Sequence, residues 1–233
     1  MKREVLRQAA IGDNIGWCSA VCAAHGSNEI DNSYAWVNRA PSPRFYPNVI
    51  TRLPKAQAAV TKIVHALRQR PEVGEWSIKD SFRDLDLASL GFAPVIEAQW
   101  YGGHPIWRGS TKERPWECIN TLRDLARWAG AWGEGVASHP FKNTLLADER
   151  IRFWRFCRGG QIAAGGISYA SGSAIGLSNW FSGGDETVFT LGLTDAIADA
   201  YPGLPIVFWS AEREAGLEEL GLKPLGGLRV WAG

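Results

Sequence analysis

Hydrophobic and polar positions follow two periods along this chain, and the switches between them mark out its elements. Ile15, Cys18, Cys22 and His25 step by 3, 4 and 3, the stripe of a short helix near 14–25. Gly26 suits a left-handed cap at its end. Period-two runs predict strands near 34–38 and 47–51. Ala56, Val60, Ile63, Val64 and Leu67 line one face of a helix over 55–70, which Pro71 stops. A strand at 76–80, a short helix at 86–90 and a strand at 94–101 follow. The stretch from Gly102 to Pro115, polar and holding Gly, Pro and Ser, reads as a linker. Beyond it, Cys118, Leu122, Leu125, Ala129 and Trp132 predict a helix over 117–133. Strands 151–157 and 161–170 form a hairpin turning at Arg158-Gly159-Gly160. A strand at 174–181, a helix at 187–200, a strand at 205–209, a short helix at 213–220 and a strand at 224–231 complete the pattern.

The pattern is stated nearly twice, about 130 residues apart. Leu87 to Trp100 reads LASLGFAPVIEAQW, and Leu217 to Trp231 reads LEELGLKPLGGLRVW, with one residue inserted before the second Trp. Asn48 lies 39 residues before Leu87, and Asn179 lies 38 before Leu217. Shared order with a shared offset predicts two tandem α/β units, 1–105 and 106–233, each a mixed sheet covered by helices. Asn48 and Asn179 are expected on corresponding central strands, Leu87 level with Leu217, and Pro94 level with Pro224.

Composition narrows the function. A chain of 233 residues with 45% apolar and 21% charged residues is an ordinary folded domain or pair of domains. A net charge of +1 lacks the basic excess of a nucleic-acid binder. No apolar run reaches the roughly 20 residues of a membrane span. Asp13 and Asn14 interrupt any signal-peptide core, so the cytoplasm is the expected compartment. Cys18, Cys22 and His25 have a metal-like spacing, but no second Cys or His pair completes a ligand set, and core packing is expected. No G-x4-G-K-[ST] loop and no G-x-G-x-x-G occurs, and GISYASG lacks the spacing of a nucleophile elbow.

The second unit resembles the acyl-CoA N-acyltransferase superfamily, the GCN5-related N-acetyltransferases (GNAT). The resemblance rests on the hairpin 151–170, the strand AIGLSNWF, the helix after it, PIVFW and GLEELGLKPLG. Residues 10–101 carry the same order in worn form. As a whole the chain is similar to uncharacterised bacterial proteins with two such halves, on WSIKDSFRDLDL, YPNVIT and the LRVW ending. The resemblance implies acetyl-CoA or another acyl-CoA as cofactor and a small-molecule amine as acceptor. It also implies a pantetheine arm on the splayed strand at Asn179 and Phe181. The pyrophosphate would then lie on the loop at Gly183, Gly184 and Thr187, where backbone N–H groups at a helix N-terminus favour anions.

Two departures stand beside it. The family's pyrophosphate motif is missing, and Asp185 and Glu186 stand where phosphate oxygens belong; a helix cap at Asp185 with a plain turn before it is the competing reading. The short helix SAEREAGLEELGL has no Tyr to protonate a thiolate, which leaves Ser210 and Glu212 as catalytic candidates. TRLPKAQ has no glycine, so the first unit's site is expected to be lost. Lys79 and Asp80 are candidate substrate-binding residues between units, or else a polar surface turn. Most of the twelve tryptophans are expected in the core, while Trp107 and Trp116 are candidates for covering a ligand or stacking on a sugar. Three readings follow: an N-acyltransferase, a non-catalytic module with the same fold, and a Trp-lined carbohydrate binder. The pattern leaves the oligomeric state open.

Overall fold

A computed structural model describes residues 2–27, 29–70, 74, 76–106, 116–133, 139–212 and 216–233. Eleven strands form one continuous mixed sheet. They are β1 (Glu29–Asp31), β2 (Ala35–Asn38), β3 (Val49–Thr51), β4 (Ser77–Asp80), β5 (Ala93–Gly103), β6 (Trp116–Ile119), β7 (Ile151–Arg158), β8 (Gln161–Ala170), β9 (Ile175–Ser182), β10 (Ile206–Ser210) and β11 (Lys223–Ala232). Four helices cover the sheet: α1 (Arg3–Ala24), α2 (Gln57–Arg68), α3 (Leu122–Trp132) and α4 (Leu193–Ala200). The fold is therefore α/β, with a mixed sheet covered by helices.

The strand order is β1-β2-β3-β4-β11-β5-β10-β9-β8-β7-β6. The last strand of the chain thus lies beside β4, and β5 lies beside β10. These two long strands pair with each other in a symmetric register. Pro224 faces Tyr101 while Pro94 faces Trp231, and Ala98 faces Leu228 at the centre. Each strand skips one residue against its partner, Leu225 in one and Val95 in the other. A half turn about the Ala98–Leu228 pair therefore carries β4 onto β10 and β5 onto β11. The approaches to the two strands match as well. Leu87 and Leu217 are buried, and Gly91 and Gly221 have φ of 77° and 80°. The N–H groups of Phe92 and Leu222 return to the carbonyls of Leu87 and Leu217 at 3.2 and 2.9 Å. Only glycine adopts that left-handed backbone without strain, which explains the recurring Leu-Gly.

Register corrects two details of the repeat. Trp231 corresponds to Tyr101 and Trp100 to Val230, so the two closing tryptophans face opposite sides of the sheet and no residue is inserted. Asn48 precedes β3, and the parallel pairs Val49–Ile78 and Gly176–Val207 set it level with Gly176 rather than Asn179. Its amide instead donates to the carbonyls of Asn38 and Ala40, tying down the turn before β3.

One apolar core lies under α1 and α3, a second under α4 and a third under α2. α1 starts at Arg3, well before the expected 14–25, and continues through Gly12, Asp13, Asn14 and Gly16. Tertiary contacts use two of these poor helix formers. The Asp13 side chain is buried with Oδ1 packed against the backbone of Gly176. A Cβ on Gly16 would stand 2.7 Å from the Tyr169 ring. Cys18 and Cys22 pack in the first core, while His25 lies exposed beyond the stripe with Nε2 2.8 Å from the Pro140 carbonyl.

The stretch read as a helix over 117–133 begins as a strand. β6 pairs with β7, Cys118 is exposed on it, and α3 starts only after Thr121, whose hydroxyl accepts from the Asp124 N–H at 3.1 Å. α4 starts at Leu193, six residues later than expected. Gly102 and Gly103 belong to β5; Pro71, Trp107 with the rest of 107–115, and 213–215 lie outside the described residues. Trp116 is buried, stacks obliquely on Phe156 and donates Nε1–H to the Leu191 carbonyl at 2.9 Å, so it covers no ligand or sugar.

Candidate active site

β9 and β10 run parallel and pair only at Ile175–Ile206 and Gly176–Val207. Past that point they separate, and a cleft of about 540 Å³ opens between Leu177–Trp180 of β9 and Trp209–Glu212 at the end of β10. Two features of β9 produce the opening. A bulge shifts its register against β8 between Gly165 and Ile167, and Asn179 in that bulge has φ of +51°. An Asn tolerates this left-handed backbone better than most residues, and the bulge bends the strand away from β10.

The first half closes the equivalent gap. The N–H of Ser81 donates to the Thr51 hydroxyl at 2.8 Å, joining the end of β3 to the chain just after β4. The Ser81 carbonyl accepts from the Trp100 indole and from Arg7, both at 3.0 Å. An opening there would have to break these bonds.

The open cleft takes side chains from both halves and from α1. Tyr46, preceding β3, is buried; its hydroxyl donates to Asn179 Oδ1 at a long 3.5 Å, and its ring meets Trp17 edge-on. Burial raises the Tyr46 hydroxyl pKa well above its ordinary value, so it remains protonated. Lys79 of β4 is 4% exposed. Its Nζ donates to Asn14 Oδ1 at 2.8 Å and lies 4.5 Å from the centre of the Trp209 ring. Burial lowers its pKa. Tyr46 opens the YPNVIT motif without being singled out in it, and Trp17 lies in no motif; each meets the cleft only through folding.

The site candidates divide. Lys79, Asn179, Ser210 and Glu212 all line the cleft. Glu212 is exposed at its mouth, and its N–H donates to Ser210 Oγ at 3.2 Å. Asp80 does not join them, because successive strand residues point to opposite faces. Its carboxylate is buried on the α2 side and accepts from the N–H groups of Phe82 and Leu85 at 3.2 and 2.9 Å. It therefore holds the turn after β4 and is neither a substrate ligand nor a surface turn residue. Phe181 meets Trp128 edge-on at 5.3 Å and fills space under α3.

Gly183 and Gly184 line a separate depression of about 230 Å³ with Arg158 and Glu186. Internal contacts hold this loop. Gly183 N–H donates to the Ala163 carbonyl at 2.9 Å, the Ser182 hydroxyl to the Glu186 carbonyl, and Arg158 pairs with the Glu186 carboxylate at 3.0 Å. Thr187 begins a turn, its hydroxyl accepting from Thr190 N–H at 3.3 Å. Asp185 does not cap α4, whose N-cap is Gly192. The first turn of α4 is buried through Leu193, Thr194 and Asp195, and the Leu193 N–H is already used, donating to the Val188 carbonyl at 3.1 Å. Among the described residues no group of three His, Cys, Asp or Glu is placed to hold a metal ion. No described helix is long and apolar enough to cross a membrane.

No family model matches the chain, and no curated protein matches its sequence. Solved structures do match its shape. A GCN5-related N-acetyltransferase from Kribbella flavida superposes with a TM-score of 0.64 at 7% identity, covering 96% of this chain and 95% of that one. A functionally unknown conserved protein from Staphylococcus epidermidis gives 0.64 at 9% identity over 88% and 93%. A GCN5-related N-acetyltransferase from Sphaerobacter thermophilus gives 0.51 at 9% identity over 89% and 75%. At such identities the likeness speaks to architecture alone, and it covers nearly the whole chain: this protein has the fold of the GCN5-related N-acetyltransferases.

Proposed function

We propose that the protein is an N-acyltransferase that moves an acetyl or other acyl group from acyl-CoA to a small amine, in the cleft between β9 and β10. The observation that carries this reading is the separation of those strands after Gly176 and Val207, which leaves strand edges and an aromatic-lined space open between them. An extended, amide-bearing arm finds backbone partners in such a gap, and Asn179 lies along it. Acyl-CoA supplies a thioester already reactive toward amines, so the protein has only to position the acceptor and remove its proton. Glu212 at the mouth is our candidate for proton removal, with Ser210 orienting the turn that carries it. The chain is on this reading a duplicated unit, 1–105 and 106–233, whose last strands have changed places and whose first site is closed. The setting is the cytoplasm.

One observation favours a second reading, a non-catalytic module of the same fold. The loop at Gly183 and Gly184 is tied to its own neighbours, and α4 starts only at Leu193, with its first turn buried. Pyrophosphate contacts at Gly183, Gly184 and Thr187 then require the Arg158–Glu186 pair to open. A thiol-release assay with acetyl-CoA over a panel of amines separates the readings. Turnover supports the transferase; calorimetric binding of acetyl-CoA without turnover supports the module.

A further inference from the structure

We propose that the acceptor enters this cleft carrying a carboxylate, and that Lys79 is the residue that binds it. This rests on the acyltransfer reading for the word acceptor, though not for the binding itself.

An ammonium with almost no exposure to water is costly unless an anion accompanies it. Lys79 has only neutral partners among the described residues. Asn14 Oδ1 takes one of its three N–H donors, and the Trp209 ring offers its face. Asp13 is the nearest carboxylate in sequence to that contact, but its side chain packs against the Gly176 backbone, burial raises its pKa well above the ordinary carboxylate range, and it forms no ion pair with Lys79. The Cys18 thiol alongside is no counter-ion, since burial pushes its pKa to about 11. Glu212 is at the solvent-facing mouth and forms no ion pair with Lys79.

Among the described residues the cleft interior is therefore a single positive charge among amides, hydroxyls and aromatic rings. A simple amine, cationic in water, is repelled by it, whereas an amino carboxylate brings its own compensation. One charge also fits a monoanion: among the described residues no second Lys or Arg lines the cleft, as a doubly charged phosphate would require. The two unused donors of Lys79 match the two oxygens of a carboxylate, and Trp209 stabilises the ammonium beside it.

The test compares free amino acids (glycine, alanine, leucine, phenylalanine) with their carboxamides, following cleft tryptophan fluorescence without any CoA. At least one acid should bind ten-fold or more tightly than its amide. Lys79→Gln, with an unchanged circular dichroism spectrum, should abolish that preference. The wild-type comparison needs no variant, so misfolding of Lys79→Gln leaves the proposal testable. Equal binding of acid and amide, binding of neither, or an acid preference that survives in Lys79→Gln overturns the proposal. Acid binding without thiol release from acetyl-CoA leaves Lys79 as a carboxylate site and sinks the transferase reading alone.

Discussion

The ammonium of Lys79 lies 4.5 Å from the centre of the Trp209 ring, and these residues occupy corresponding positions in β4 and β10. The half turn relating the strands brings both side chains to the same face, where they meet over the central pair β5 and β11. One residue of the pair is cationic and the other aromatic, so equivalent positions of β4 and β10 offer different chemistry.

Replacing Lys79 by Met should stabilise the protein at neutral pH by roughly 1 kcal/mol, since a well-packed apolar chain there removes a buried, unpaired charge. The sign with pH is defined. The folded lysine binds its proton less tightly than the model value of 10.5. Between the folded pKa and 10.5 the unfolded chain holds the extra proton, and stability rises with pH. Wild type should therefore recover on Lys79→Met as pH climbs toward 10.5. Urea melts of both proteins across that range check it; a difference independent of pH would mean the lysine is not buried as a cation.

Asn179 should show the backbone demand of the bulge. At φ of +51°, Asn179→Gly should change stability by less than about 0.5 kcal/mol, while Asn179→Val should cost roughly 1–2 kcal/mol. Equal melting temperatures for the two variants would contradict a left-handed residue here.

Gly176 and Gly184 should separate just as clearly. A Cβ on Gly176 would lie 1.6 Å from Asp13 Oδ1, whereas nothing lies within 4 Å of one on Gly184. Gly176→Ala should cost about 2 kcal/mol or more by forcing α1 off the sheet. Gly184→Ala should be nearly silent. Thermal melts decide it.

The sequence carried most elements and few of their partners. Periodicity located the 151–170 hairpin, the helix over 57–68 and the strands around Pro94 and Pro224, because each buries one face whatever lies beside it. It could not show that β11 lies beside β4 and β5 beside β10, since a strand's own pattern is the same beside either neighbour. It missed the start of α1 because Gly12, Asp13 and Gly16 look like breakers until the sheet supplies their contacts. Cys118 matched a helical stripe while belonging to β6. Lys79, Asn179, Ser210 and Glu212 were named from motif position and do meet at one cleft. Asp80 was not separable from Lys79 without knowing which strand face was wet. Tyr46 sat in YPNVIT with nothing to mark it as a cleft residue, and Trp17 carried no local signal.

The loop at Glu186 gives an ionic-strength test. Glu186→Gln leaves Arg158 without its 3.0 Å partner, and this exposed pair should cost under ~1 kcal/mol of stability. If the pyrophosphate reaches Gly183 and Gly184, the freed arginine should tighten CoA binding a few-fold at low salt and less at high salt. Unchanged affinity at every salt concentration would place the pyrophosphate elsewhere.

On the proposed function, one cleft between β9 and β10 receives acyl-CoA, while the gap beside β3 and β4 is shut by the Ser81–Thr51 bond. Calorimetric titration with acetyl-CoA measures this as a stoichiometry. The account predicts one acetyl-CoA per chain; two per chain would contradict the closed first site, and no binding would contradict the acyl-CoA assignment itself.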